Sequence, residues 1–374
     1  MRTIFFPLSI LLLSCFFGPV LQEKETIRTD SDSIVSSKIT LLFVGDLMQH
    51  QGQIEAARTA SGYDYSECFK LVKEEISKAD VAIGNLEVTL GGEPYSGYPQ
   101  FSAPDEYLSA IKEAGFDVLL TANNHCLDRR KTGLERTILM LDSLHIPHVG
   151  TYVDQKSRNT HYPLLLEIKG FRIVLLNYTF GTNGIHVSSP NTVNYIDKSI
   201  MSSDIKAARS LMPDAIIACM HWGEEYKQLP NKEQTSLANW LLEQGVTHII
   251  GSHPHVVQPI EIRTDSVSGN KHAIVYSLGN FISNMSAPNT DGGLIFKLEL
   301  TKDSVTTYAS NYSYDLVWTA RPVLTQKKNH ILIFVNDSIN WLPPAARNRL
   351  NIFAKSARSL FNRYNQGINE YFPE

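Results

Sequence analysis

Imidazole, carboxylate and amide side chains recur in short clusters along this chain, each directly after an apolar run rich in β-branched residues. Any one cluster is a weak signal, because a Gly-Asp pair after a strand more often makes a turn than a metal ligand. Together they form an N/O donor set that suits Mn²⁺, Fe or Zn²⁺ and differs from a thiolate site. A shared carboxylate would let two cations polarise one water molecule. In chain order the clusters are Gly45-Asp46, Asn85-Leu86-Glu87, Asn123-Asn124-His125, His221-Trp222 and His253-Pro254-His255.

The most specific of these clusters is His253-Pro254-His255. In an extended tripeptide the two imidazoles point the same way, since alternate side chains share a face, and Pro stiffens the span. His125 follows Asn124 and would place a proton donor beside a ligand, as a leaving-group oxygen requires. The sequence has no Gly-x-Ser-x-Gly nucleophile elbow and no Walker-type phosphate loop. The pattern therefore favours metal-assisted chemistry.

These clusters need a scaffold that brings distant segments together, and the hydrophobic pattern predicts an alternating α/β protein. Short, nearly continuous apolar runs indicate strands buried on both faces, and apolar residues at helical spacing lie between them. The clusters follow the carboxyl ends of these strands, where ligands collect in parallel sheets. We therefore expect stacked sheets with helices outside. The predicted strands are Ile39–Val44, Val81–Gly84, Asp117–Thr121, Ala215–Met220, Thr247–Ile250 and Ala273–Leu278, with antiparallel pairs at Leu164–Asn177 and Gly293–Ser310.

Six motifs follow one another in a distinctive order: Gly-Asp, Gly-Asn-Leu-Glu, Ala-Asn-Asn-His-Cys-Leu-Asp, His-Trp-Gly-Glu-Glu-Tyr, Gly-Ser-His-Pro-His-Val-Val-Gln and Tyr-Ser-Leu-Gly-Asn-Phe. This order resembles the CapA-type capsule-synthesis proteins, which are linked to poly-γ-glutamate capsule and belong to the calcineurin-like metallophosphoesterase superfamily. The similarity runs from about Ile39 to Ser283, roughly two-thirds of the chain. It implies an α/β fold, a four-layer α/β/β/α sandwich with a metal centre at the edge of the sheets.

The resemblance also implies roles for individual residues. His125 matches the acid/base that protonates a leaving group, and Asp128 in the same motif is its candidate catalytic partner. The implied cofactor is one or two divalent ions of Mn, Fe or Zn. The implied metal ligands are Asp46, Glu87, Asn124, His221, His253 and His255. Four further residues are expected to contact substrate or to orient the ligands, namely Asn85, Asn123, Glu225 and Trp222, the last of them mainly as a packing wall.

Two departures from the broader superfamily concern the metals. Its first motif is Asp-x-His, whereas Met48 stands two residues after Asp46, so one imidazole is missing. Its second motif ends in Asp, whereas this chain has Asn85-Leu86-Glu87. The CapA-type pattern shares both changes, so the resemblance to that family is unaffected. Whether two metals are bound is left open.

The amino-acid composition argues against one other class of function. The 374 residues include 34 Lys and Arg against 38 Asp and Glu, and this balance argues against a protein that coats nucleic acid.

Residues 38–318 are expected to form the metallophosphoesterase-like domain. Residues 319–374 hold eight basic residues against three acidic ones and are expected to form a basic, helical C-terminal extension. That extension either packs on the domain with a solvated basic face or faces an acidic polymer or anionic lipid.

The amino terminus predicts export. Residues 1–22 carry Arg2 and then an apolar run too short to span a bilayer, as in a secretory signal peptide. The segment that ends in Cys15 resembles a bacterial lipobox, in which that Cys would be lipidated. The alternative is ordinary cleavage near Gly18. Residues 23–37 are expected to be a polar linker. We therefore expect a protein of the cell envelope or periplasm, anchored to the membrane if Cys15 is lipidated.

Three functions fit these features. The first is a metal-dependent hydrolase that acts on a phosphoester, or alternatively on an amide, in capsule, poly-γ-glutamate or exopolymer metabolism. The second is a non-catalytic metal-binding factor for assembly or export of an anionic capsule polymer. The third is a surface binding module whose polar clusters are structural. We expect the first, with an anionic polymer or phosphoester as its partner and no nucleic acid.

Overall fold

The computed structural model describes residues 36–337 and 339–371, and the structural statements below refer to these residues. The predicted signal peptide, Cys15 and nearly all of the predicted linker lie outside the described residues. Within the described ranges, no helix combines the length and the apolar character needed to cross a bilayer.

The chain alternates between strands and helices, as its hydrophobic pattern predicts. The strands are β1 (Ser37–Leu47), β2 (Val81–Leu86), β3 (Val118–Leu120), β4 (His148–Val149), β5 (Thr151–Tyr152), β6 (Leu164–Ile168), β7 (Phe171–Thr179), β8 (Thr192–Val193), β9 (Ala215–His221), β10 (His248–Ser252), β11 (Ile260–Thr264), β12 (Lys271–Val275), β13 (Asn280–Ile282), β14 (Gly292–Lys302), β15 (Thr307–Ala320) and β16 (Ile331–Phe334). The helices are α1 (Gln51–Ala57), α2 (Lys73–Lys78), α3 (Asp105–Glu113), α4 (Arg130–Ser143), α5 (Gln155–His161), α6 (Lys198–Ser210), α7 (Lys232–Glu243), α8 (Pro322–Thr325) and α9 (Pro344–Tyr364).

Most of the strands form two sheets. The first has the order β16-β15-β14-β1-β2-β3-β4, in which β1 to β4 are parallel and β13 adds to the end of β1. The second has the order β11-β12-β10-β9-β7-β6, in which β7, β9, β10 and β12 are parallel. The first sheet therefore carries antiparallel strands on one side only, whereas the second carries one at each margin, and in both sheets the parallel strands end at one edge.

Alternation of side chains along the strands produces four layers. In β1, Leu41 and Phe43 join a core that also contains Leu175 of the second sheet, so these faces pack on each other. Leu42 points the opposite way and joins a second core with Ile111 of α3. On the far side of the second sheet, α6 and α7 contribute buried apolar residues. The expected α/β/β/α sandwich is therefore the fold of this chain.

The C-terminal segment is continuous with the first sheet. β15 runs across residue 318, where the sequence analysis placed a domain boundary, and β16 pairs with β15 beyond it. The helix expected in this segment is α9, whose apolar stripe is buried. Its Phe361 ring meets Tyr314 of β15 edge-on at 5.0 Å. The segment thus extends the same body, because its strand completes a sheet and its helix covers that strand.

Candidate metal centre

Five strands of the two sheets deliver the predicted ligands to one edge. Asp46 lies at the end of β1, Glu87 follows β2, and the loop after β3 carries Asn124. β9 ends in His221, and the loop after β10 supplies the two remaining imidazoles. Every one of the six predicted ligands is buried. The parallel arrangement explains this convergence, because neighbouring parallel strands end side by side.

A glycine allows the first of these strand ends to approach its neighbour. A Cβ atom on Gly45 would lie 1.9 Å from the carbonyl oxygen of Gly279, so no larger residue fits without displacing the backbone. The backbone N–H of Asp46 donates to that same carbonyl at 3.1 Å. The register of β1 against β2 and β13 also shifts at Asp46. This irregularity aims the Asp46 carboxylate at the site rather than into the sheet.

Asp46 and His255 form a close pair inside the site. Oδ2 of Asp46 lies 3.0 Å from Nδ1 of His255, and the amide oxygen Oδ1 of Asn280 lies 3.0 Å from the same nitrogen. The other Asp46 oxygen accepts a hydrogen bond of 2.8 Å from Asn85 Nδ2. Asn280 is therefore a contact of the centre that residue-by-residue sequence analysis did not single out, although its motif was recognised.

Glu87 occupies the middle of the cluster. Its Oε1 atom lies 3.6 Å from Nε2 of His221 and 3.9 Å from Nε2 of His255. Asn85 holds the other oxygen, with Nδ2 at 3.3 Å from Glu87 Oε2. The amide oxygen of Asn124 lies 2.8 Å from Nε2 of His221. Glu87, which follows a strand of the first sheet, thus faces imidazoles that the second sheet delivers.

The His-Pro-His segment reaches the site in a way that the sequence did not predict. His253 has φ +102° and His255 has φ +57°, so the tripeptide is bent and not extended. Positive φ is unfavourable for residues with a Cβ atom and tends to concentrate at functional sites. The rings still lie on one side of the loop, with centroids 6.0 Å apart. The expectation of an extended tripeptide was wrong, although both imidazoles do reach the centre.

Two groups of three side chains have the spacing of metal ligands. The first is Glu87, His221 and His253, the second is Asp46, Glu87 and His255, and the ligand atoms in each lie within 4.8 Å of one another. Both groups share Glu87, which would therefore belong to both sites if two cations were bound.

Unsatisfied atoms in the first group test whether a cation fits. Oε1 of Glu87 and Nδ1 of His253 are buried and have no hydrogen-bond partner among the described residues. A buried polar atom without a partner costs free energy unless a bound water or ion satisfies it. The donor set of imidazole, carboxylate and amide oxygen is also the one that Mn, Fe and Zn accept. The residues present therefore fit a divalent metal.

The electrostatics of the cluster agree with this fit. Burial, reinforced by Asp46, raises the pKa of Glu87 well above its usual range. Burial lowers the pKa of His221 well below its usual value and that of His253 to about 3. Burial opposes ionisation of both Asp46 and His255, but their mutual hydrogen bond and charge attraction, with contributions from neighbouring side chains, together lower the pKa of Asp46 and raise that of His255. His221 and His253 are thus neutral, the form that binds metals, and a cation would favour ionised Glu87.

The predicted acid/base pair is assembled beside the metal ligands. Nδ1 of His125 lies 2.8 Å from Oδ2 of Asp128, and both side chains are buried. The same carboxylate oxygen accepts the backbone N–H of Phe101 at 2.8 Å. The Phe101 ring meets the imidazole edge-on at 4.6 Å. Asp128 therefore fixes the ring of His125 and leaves Nε2 as the nitrogen available to a substrate.

The remaining predicted residues have different surroundings. Asn123 donates to the carbonyl of Leu86 at 2.8 Å and holds the loop after β3 against β2. Trp222 is buried, and its Nε1 donates to the carbonyl of Tyr276 at 3.0 Å, as expected of a packing wall. Glu225 is exposed, and among the described residues its carboxylate forms no hydrogen bond with a predicted ligand. Its charge acts on the centre from the surface, where it contributes to the raised pKa of Glu87.

An aromatic contact was also missed by the sequence analysis. The ring of Phe180 lies 4.5 Å from that of His253 and stacks on His221 at 6.3 Å with an interplanar angle of 9°. Phe180 follows β7, and its backbone N–H donates to the carbonyl of His221 at 3.0 Å. A lone Phe after a strand carries no motif, so only the sheet order places it here.

Comparison with protein families gives a match over the segment that builds this centre. The profile described as "Bacterial capsule synthesis protein PGA_cap" matches residues 40–285. The match includes every predicted metal ligand.

Two relatives carry related names. The chain is 28% identical over 277 residues to the "Capsule biosynthesis protein CapA" of Bacillus anthracis, which is 71% of this chain and 64% of that protein. It is 26% identical over 310 residues to the "PGA biosynthesis protein CapA" of Bacillus subtilis (strain 168), which is 79% of this chain and 76% of that protein. The chain therefore spans slightly less than two-thirds of the first relative's length.

Solved structures give more distant likenesses. A phosphatase from Mycoplasma pneumoniae aligns with a TM-score of 0.43 and 16% identity, covering 84% of this chain and 99% of that one. A 5'-nucleotidase from Candida albicans aligns with a TM-score of 0.43 and 12% identity, covering 86% of this chain and 58% of that one. At this distance neither likeness bears on activity.

Proposed function

This chain belongs to the bacterial capsule synthesis family PGA_cap, and from that premise we propose that it is a metal-dependent hydrolase of phosphoester bonds in envelope-polymer metabolism. The observation that carries the proposal is the pair of buried ligand groups that share Glu87. Such an arrangement suits hydrolysis, because two ligand groups around one carboxylate are the basis of two-metal sites.

The residues that would hold the metals divide between the groups. Glu87, His221 and His253 would form one site. The amide oxygen of Asn124, which lies 2.8 Å from Nε2 of His221, would be a further metal ligand there. Asp46, Glu87 and His255 would form the other. When bound, a divalent cation would polarise a water molecule and a phosphoryl oxygen. The protein's own part is to keep these ligands buried, to hold His221 and His253 neutral, and to fix the carboxylates in position through the amide of Asn85.

His125 would supply the proton for the leaving group. Asp128 holds its Nδ1 at 2.8 Å, which orients the ring and directs Nε2 toward the substrate. Asp128 is itself held by a backbone N–H, so the pair has little freedom to reorient. We favour a general acid over a purely structural role for His125, because its pair with Asp128 is buried and directly follows the candidate metal ligand Asn124.

A second function is favoured by one observation. Met48 is buried where the wider superfamily has an imidazole, so one metal would have fewer protein ligands. This would suit a non-catalytic metal-binding factor for assembly or export of an anionic capsule polymer. The names of the two Bacillus relatives refer to capsule and PGA biosynthesis, and they support a role at the cell envelope in either case. Export and lipidation of Cys15 belong to the same proposal.

Metal analysis and hydrolysis together test the proposal. The purified full chain is expected to retain Mn²⁺ or Zn²⁺ after dialysis and to hydrolyse bis(p-nitrophenyl) phosphate. His221→Ala and Asp46→Asn should each lose at least about 100-fold in kcat/KM, as expected when a metal ligand is removed. The matched control is His161→Ala, which removes an exposed imidazole of α5 and should change neither the metal content nor kcat/KM. Bound metal without hydrolysis would support the non-catalytic function, and no bound metal would contradict both.

A further inference from the structure

Three exposed aromatic side chains surround the metal centre, and we call Tyr98, Phe180 and Tyr226 the aromatic rim. Their exposed fractions are 74%, 50% and 51%, although large apolar side chains are usually buried. The described residues include three other aromatic side chains that are largely exposed, Tyr308, Trp341 and Tyr371. Half of the exposed rings therefore lie at one small site, as expected of a binding surface.

Each member of the rim contacts the catalytic cluster directly or through one ring. Phe180 lies against His253 at 4.5 Å, and Tyr226 lies against His255 with ring centroids 6.2 Å apart. Tyr98 lies 6.3 Å from the ring of Phe101, which in turn packs on the candidate acid. The rim therefore borders both the ligands and the position from which a leaving group would depart.

The backbone holds Tyr226 in place. Its φ is +67°, an uncommon conformation for a bulky residue, and its N–H donates to the carbonyl of Pro254 at 2.8 Å. Strain of this kind persists where surrounding structure enforces it and is often part of function. Burial and the neighbouring Glu225 raise the pKa of Tyr226 to about 12, and the Tyr98 hydroxyl adds a smaller contribution.

The charges around the centre disfavour a polyanion outside the metal position. Glu225 is exposed beside the centre and, in the described ranges, forms no ion pair with Lys or Arg, whereas the buried Asp46, Glu87 and Asp128 face imidazoles. A bound cation would attract one anionic group at the reacting position. The neighbouring carboxylates of a polyanion would lie against the aromatic rings and acidic side chains around the metal position. Neither kind of side chain interacts favourably with a carboxylate.

We propose that the aromatic rim stacks on a sugar ring next to the scissile bond, so that the substrate is a sugar phosphoester rather than linear poly-γ-glutamate. This inference rests on the proposed function and names its substrate class. The C–H groups of a pyranose face match the negative face of an aromatic ring. The hydroxyls of Tyr98 and Tyr226 and the exposed carboxylate of Glu225 can pair with sugar hydroxyls, which are hydrogen-bond donors as well as acceptors.

Two phosphomonoesters of similar charge test the inference by calorimetry. Glucose 1-phosphate carries a ring and glycerol 3-phosphate does not, and both would place a phosphate at the metals. The Mn²⁺-loaded full chain is expected to bind glucose 1-phosphate about tenfold more tightly, a difference typical of one or two aromatic contacts. Tyr98→Ala, Phe180→Ala and Tyr226→Ala should each reduce that preference, whereas Tyr308→Ala, an exposed Tyr of β15, should retain it.

A conservative variant separates stacking from folding. Phe180→Leu keeps apolar volume against His253 but removes the flat ring, so the preference should fall while the unfolding temperature stays within about 2 °C of wild type. The affinity of each rim variant for glycerol 3-phosphate is the reference for the preference, because a change at the metals affects both phosphates alike and cancels from the ratio.

Three outcomes would overturn the inference: equal affinity for the two phosphates, tighter binding of adenosine monophosphate than of glucose 1-phosphate, or rim-dependent binding of a linear γ-glutamate oligomer. These outcomes are separate from failure of the proposed function. Ring preference without phosphodiester hydrolysis would support the inference and contradict the hydrolase. Hydrolysis without ring preference would contradict the inference alone.

Discussion

Oε1 of Glu87 lies 3.6 Å from Nε2 of His221, too far for a hydrogen bond and close enough for one cation to bind both atoms. The two residues come from different sheets, one after β2 and the other at the end of β9. The gap between them ties the metal site to the packing of the two sheets and is the structural basis of the first prediction below.

Glu87→Gln is expected to stabilise the metal-free protein and to weaken metal binding. Because burial raises the pKa of Glu87, the unfolded state releases this proton at lower pH than the folded state, so the group costs stability above its unfolded pKa. At pH 7 in EDTA, the isosteric amide should raise the free energy of unfolding by about 1–3 kcal/mol. Manganese affinity should fall at least about tenfold.

Chemical denaturation with and without Mn²⁺ measures both effects. Glu243→Gln, an exposed Glu at the end of α7, is the control and should behave as wild type. If Glu87→Gln is less stable than wild type in EDTA, protein groups already satisfy the buried Glu87 carboxyl. Its unpaired Oε1 would then be no indication of a bound cation.

Asp128→Asn is expected to reduce turnover without removing metal. The Asp128 carboxylate fixes His125 at 2.8 Å, and an amide would hold the ring less well and cannot stabilise its charged form. We expect kcat to fall about 10²- to 10⁴-fold, the range usual for general acid–base groups. Metal content by mass spectrometry should be unchanged. The double variant with His125→Ala should be little worse than His125→Ala alone, and additive losses would contradict a shared role.

Gly45→Ala is expected to disturb the metal centre through the backbone. The new Cβ would lie 1.9 Å from the Gly279 carbonyl that anchors the Asp46 N–H, so β1 must move away from β13. We expect a loss of about 2–4 kcal/mol in stability and weaker metal binding, because overpacking forces backbone shifts. Gly181→Ala is the matched control, since its Cβ would meet nothing within 4 Å. Equal stability of the two variants would contradict the tight approach of β1 to Gly279.

Acid is expected to destabilise the fold through a histidine far from the metal centre. Burial lowers the pKa of His248 to about 3, and its Nδ1 accepts the N–H of Ala273 at 3.1 Å. Between about pH 6.5 and 3 the unfolded state binds the proton and the folded state does not, so stability falls with falling pH. The contribution is on the order of 1 kcal/mol per pH unit.

Urea denaturation from pH 7 to pH 4.5 in EDTA measures this effect. His248→Gln should make the pH dependence less steep, because it removes one proton-binding group from the unfolded state. His161→Gln, an exposed residue, is the comparison variant. Identical slopes for wild type and His248→Gln would show that other groups account for acid sensitivity.

The sequence was most informative where residue type alone determines chemistry. Apolar runs predicted the strands, and the clusters after them predicted that Asp46, Glu87 and the three imidazoles would converge, since parallel strands end together. Local backbone conformation was less predictable. The bend at His253 and His255 depends on contacts with both sheets, so no short pattern around Pro254 indicates it.

Contacts that depend on sheet order could not be predicted either. Asn280 reaches His255 because β13 pairs with the end of β1, and that pairing joins segments more than 200 residues apart. Phe180 belongs to no recognised motif, and Tyr226 ends the motif that begins at His221 but was not itself singled out; the rings that they contact give both residues their importance.

A crystal of the full chain grown with Mn²⁺ and measured at the manganese absorption edge tests the central claim most directly. We predict an anomalous peak about 2.0–2.3 Å from Glu87 Oε1 and from an imidazole nitrogen of His221 and of His253, the distances usual for such ligands. A second peak bounded by Asp46, Glu87 and His255 would indicate two metals. A fully ordered Glu87 carboxylate with no peak beside it at millimolar Mn²⁺ would contradict the metal centre.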